Sequence, residues 1–172
     1  MRYVGAAWPN ARLETAAAGM GHTNILHDDD GLIRQLPTVI EVDDVRYPSL
    51  ALAALQAFLG TEVGAPALPQ EGRLRVLGRE IPVGDKGELD IFYAGPPAQS
   101  EVSTFTTVSY RDVLAGNVSP ELFKDKLVLV GITATAEPDR YLTPVSNGRP
   151  MYGVEILANV IESIWSNNFI VK

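Results

Sequence analysis

From Val154 onward the apolar residues Ile156, Leu157, Val160, Ile161, Ile164 and Trp165 recur at i, i+1, i+4, i+5, i+8 and i+9, with Glu155, Asn159, Glu162 and Ser163 largely off that line. The spacing draws one apolar stripe along a 3.6-residue helix. Such a helix is stable only where another layer covers the stripe. The chain offers strands for that layer. Residues 38–42 and 45–47 flank Asp43-Asp44 and predict a hairpin. Residues 73–77, 81–83 and 88–93 predict further strands, joined by Gly78-Arg79 and Asp85-Lys86-Gly87. Leu127-Val128-Leu129-Val130-Gly131 is apolar on both faces, the pattern of a buried central strand. Helices are expected over residues 12–18, 48–59 and 110–115, each stopped by a glycine. The expected fold is α/β: a single domain over residues 1–172, with a mixed sheet around 127–131 and helices packed on it, the amphipathic C-terminal helix among them.

Composition removes several function classes. Lys plus Arg is 14 and Asp plus Glu is 21, so the formal charge is 14 − 21 = −7. That sign opposes binding to nucleic-acid phosphates or, by charge, to anionic lipid, so no nucleic-acid partner is expected. The absence of Cys excludes disulfides, thiolate metal sites and Cys nucleophiles. No apolar run approaches the roughly 18–20 residues of a membrane helix, and the first residues carry no hydrophobic signal segment. The chain as given is therefore expected to be soluble and untargeted. The Gly-x-Ser-x-Gly elbow and both glycine-rich phosphate loops are missing, and no cofactor is expected.

Two clusters bear polar chemistry. His22 and His27 lie beside Asp28, Asp29 and Asp30. On a strand their five-residue offset sends the two rings to opposite faces. Counted back from Gly31, a calcium loop would also find Leu26 where its first oxygen ligand belongs. Asp28, Asp30 and Gly31, with Arg34 as ion partner, are thus expected to form a structural turn with no metal. Thr133, Asp139 and Thr143 follow the apolar run 127–131. In open α/β sheets ligands bind beyond the carboxyl end of a central strand, so these three are the candidate ligand pocket, on a loop over 131–144. Alternatively, Asp139 and Thr143 only satisfy loop backbone N–H groups.

Five pieces occur in one order: residues 28–37, with Asp30-Gly31 and Arg34; 47–52, with Tyr47-Pro48-Ser49; 126–134; Asp139 with Thr143-Pro144; and 153–161. In this order the chain resembles the second type of the CHASE domain (cyclases/histidine kinases associated sensory extracellular), over nearly all of residues 21–165. Leu157 stands where that family often has His. The family's usual N-terminal portion has no counterpart, so the chain is expected to be the C-terminal part of such a domain.

The resemblance implies a sensor outside the cytoplasmic membrane of bacteria, between membrane segments, feeding a nucleotide cyclase, a histidine kinase or a Ser/Thr kinase. Its partner would be an unidentified small molecule or periplasmic protein, with a homodimer among the expectations and no catalysis of its own. The last helix, through Val160, Ile161, Ile164 and Trp165, would be the output element. Two rival readings are a small α/β hydrolase-like enzyme using Asp30, Asp139 or Glu155, and a structural dimerisation module.

Overall fold

The computed structural model describes residues 1–98, 103–134 and 139–171. In chain order its elements are β1 (Arg2–Tyr3), α1 (Ala11–Ala16), β2 (Gln35–Pro37), β3 (Val39–Val42), β4 (Val45–Pro48), α2 (Leu50–Phe58), β5 (Arg73–Val76), β6 (Arg79–Pro82), β7 (Glu88–Asp90), α3 (Tyr110–Leu114), β8 (Arg140–Tyr141), β9 (Met151–Tyr152) and α4 (Gly153–Trp165), with a 3₁₀ turn at Pro120–Leu122. The α/β class and the C-terminal helix are as expected.

Local chemistry explains the hairpins. Asp43 and Asp44 both take positive φ (49° and 65°), as a two-residue turn between twisted strands requires, and they join β3 to β4. Leu77 and Gly78 do the same between β5 and β6. β1 adds to β3 in parallel, β2 pairs antiparallel with β7, and β8 with β9. Pro48 closes β4 and does not open the helix after it. Ser49 is the cap of α2, its hydroxyl accepting the Leu52 N–H at 3.3 Å.

One core gathers these pieces. Ile33, Leu36, Leu52, Leu55, Leu74, Ile81, Leu89, Met151, Ile156, Val160 and Ile164 are buried together. α2 and α4 pack on each other, and α4 meets β9 at its start. Arg79, on β6, donates to the carbonyls of Ile164 (2.7 Å) and Trp165 (2.8 Å), closing the C-terminal end of α4.

The expected central strand is corrected. Residues 127–131 belong to no sheet, and Val128 and Val130 are 51% and 79% exposed, while Leu127 packs against the core. A strand apolar on both faces needs neighbours on both faces and on both edges. Among the described residues only one face has cover, and the sheet forms as small separate ladders elsewhere. α2 and α4 accordingly pack on each other and on the core, and α4 meets the segment only where Val154 lies against Gly131.

Candidate functional site

α4 is more than an apolar stripe. Asn159 and Ser163 are buried, at 1% and 0% exposure, although the apolar periodicity places them off the covered side. They serve the backbone that follows β7. The Ser163 hydroxyl accepts the Phe92 N–H (3.2 Å) and lies within donating distance of the carbonyls of Phe92 (3.1 Å) and Asn159 (2.8 Å). Asn159 Oδ1 accepts the Ala94 N–H (2.9 Å), while its amide donates to the Glu155 carbonyl (2.8 Å). Glu155 Oε1 accepts the Ala98 N–H (2.8 Å) and Oε2 the Tyr152 N–H (3.1 Å). Glu155, Asn159 and Ser163 are four residues apart, so they form one polar ladder down one helix face. Partly buried amides that lack a partner strand are satisfied by these side chains instead.

Of the expected output residues, Val160 and Ile164 are core, Ile161 is half-buried, and Trp165 is 47% exposed with its ring edge-on to Phe58 at 5.8 Å.

Asp139 stands at the start of α4. Its carbonyl accepts the Gly153 N–H (3.1 Å), and its carboxylate lies where a Cβ on Gly153 would have to go. Burial, with the Asp139 charge beside it, raises the Tyr141 phenol pKa. Thr143 is buried and closes a turn with Ser146: its N–H donates to Ser146 Oγ (2.8 Å) and the two hydroxyls are 3.0 Å apart. Thr133 is exposed on the open segment. The structure therefore places these three at separate tasks, and residues 135–138 of the expected loop lie outside the described residues.

Residues 28–31 fold as a turn. Gly31 donates to the Asp28 carbonyl (2.8 Å), and Arg34 reaches Asp28 (2.5 Å) and Asp30 (2.7 Å). Hydrogen bonds from Arg34 and from the Leu32 N–H pull the Asp30 carboxyl down to about 2. Asp30 is thus paired with Arg34, and Glu155 is bonded to the start of α4.

A cavity of about 670 Å³ opens beneath residues 4–20. One wall is the sheet, through Ile40, Val42 and Tyr47; the other is the overlying segment, through Trp8, Leu13 and Met20. Gly21 and His22 fix the inner end. A Cβ on Gly21 would come within 2.5 Å of Leu50 Cα, and the His22 backbone bridges β4 and α2 through Pro48 (2.9 Å) and Leu50 (2.8 Å). His22 Nδ1 accepts the Asn24 N–H (3.3 Å), which assigns the proton to Nε2. Nε2 is buried without a hydrogen bond among the described residues, the Pro37 carbonyl nearby completing none. Burial, aided by the chain's N-terminal charge, holds the imidazole down to about 4, so it is neutral at pH 7. This cavity is not legible as a motif. Its trace in the sequence is the run of small residues, Gly5, Ala6, Ala7, Ala17, Gly19 and Gly21, which line it without filling it.

Among the described residues no helix is long and apolar enough to cross a membrane. No curated protein and no solved structure matches the chain. The CHASE2 domain family model matches residues 4–172, and the chain belongs to that family of extracellular sensory domains of receptors.

Proposed function

We propose that the chain is the extracytoplasmic ligand-sensing and signal-relay module of a bacterial transmembrane receptor that controls a cytoplasmic cyclase or kinase. The observation that carries this reading is α4. It joins Asp139 at one end, the backbone after β7 along its length, and Arg79 at the other end. Thr133, Asp139 and Thr143 stand on the stretch leading into it, and Asp139 meets its first residue. A ligand that favours one arrangement of the surrounding elements biases this helix by its difference in affinity for the two states.

The test is a disulfide scan along residues 162–169 of the full-length receptor. Cross-links in that stretch are expected to raise or lower effector output. If output is the same for every one of them, α4 is not the output path.

A further inference from the structure

We infer that the cavity beneath residues 4–20 binds an uncharged, largely apolar small molecule, aromatic or alicyclic. Its place as the sensor's ligand site rests on the reading above; binding itself does not. The volume, about 670 Å³, lies in the usual range for small-molecule sites, roughly 300–1,000 Å³. Both walls are apolar. Ile40 and Val42 form the buried floor, while Trp8 and Leu13, on the overlying segment, remain 51% and 67% exposed. Large apolar side chains that face a cavity and cover nothing gain free energy when a ligand excludes water from them.

Charge fixes the class. No Lys or Arg lines the cavity, and His22 is neutral, so a carboxylate or phosphate finds no cation in a chain of net charge −7. The one acid, Glu14, sits on the exposed face of α1, where water screens it. The overlying segment can also adjust. β1 on β3 anchors one end and the His22–Ser49 bridge the other. Between these anchors, among the described residues, the backbone hydrogen bonds stay within α1 and its caps, and Trp8 meets Tyr47 edge-on at 5.5 Å. The segment can close on a ligand without breaking the sheet.

The probe is N-phenyl-1-naphthylamine, uncharged and apolar, titrated into the 172-residue chain carrying Trp165→Phe, which leaves Trp8 as the lone indole. Saturable one-to-one binding with energy transfer from Trp8 is expected. Leu13→Asp, at an exposed site, is expected to weaken it roughly tenfold or more. Ala17→Phe, which fills the cavity from above without adding an indole, is the second variant and is expected to weaken it likewise. Absence of saturable binding, or full binding in both variants, overturns the site. Equal affinity for benzyltrimethylammonium or for 1-naphthalenesulfonate overturns the ligand class. The two failures separate. Absent probe binding, with cross-links along 162–169 still changing effector output, overturns the site and leaves the receptor reading standing. Variant-sensitive binding with output indifferent to every cross-link supports the site and overturns the reading of α4 as the output path.

Discussion

His22 shows how one buried side chain sets a pH limit. Its pKa is about 4 in the folded chain against an ordinary 6.5. Between those values the unfolded chain takes up a proton that the folded chain refuses, so stability rises with pH across this window. The contribution is whole above about pH 6.5 and is lost as pH falls toward 4, reaching about 3 kcal/mol at the acid end. Urea midpoints measured from pH 7 down to 4 should fall less steeply for His22→Gln than for the wild type. Arg34 acts at the opposite, exposed extreme. Its ion pairs leave the arginine side chain 40% exposed and screened by water, so Arg34→Met should leave the urea midpoint nearly unchanged. The same substitution should let the Asp30 pKa climb from about 2 back toward ordinary carboxylate values, read by an NMR titration of its side chain. A large fall in the urea midpoint, or an unmoved Asp30, would show that the turn is held by something else.

Within α4, two kinds of contact predict two kinds of loss. Ile164→Ala removes a fully buried side chain and should cost about 2–5 kcal/mol. Asn159→Ala should cost about 1 kcal/mol although it deletes little apolar surface, because the partly buried Ala94 N–H loses its acceptor. Chemical denaturation of both variants tests this. An Asn159→Ala variant as stable as the wild type would mean that water replaces the side chain. The same helix shows what a sequence discloses. Its apolar spacing announced both the helix and its core residues, since periodicity is a local property. The ladder was not visible, because Asn159 and Ser163 are polar and their partners Ala94 and Phe92 are 65 and 71 residues away. The run 127–131 failed in the opposite way. Its composition states a demand for cover on both faces but says nothing about which elements supply it. Likewise the triad Thr133, Asp139 and Thr143 was read from a strand end that the fold does not build, whereas the cavity under residues 4–20 is marked only by small residues.

For the molecule as a whole, the open segment is the main liability. Val128, Val130 and Ile132 are 51%, 79% and 59% exposed in one alternating row, and among the described residues that backbone joins no sheet. Such edges pair with one another unless charge intervenes. The chain should self-associate in a concentration-dependent way, and Val130→Lys should reduce this in sedimentation velocity without lowering the unfolding free energy by more than about 0.5 kcal/mol. Unchanged association in that variant would place the sticky surface elsewhere. The ladder on α4 carries a different consequence. Side chains four apart on a helix are separated by about 6.0 Å along its axis, close to the roughly 6.6 Å between alternate amides of an extended chain. The spacings match between Ser163–Asn159 and Phe92–Ala94, and Gly95-Pro96-Pro97 bends the backbone so that Ala98 can meet Glu155. An axial slide leaves the side chains between amides and breaks these bonds together, and Pro96 and Pro97 offer no N–H at the next position. The helix is thus keyed to a single register, like a bolt seated in its only notch.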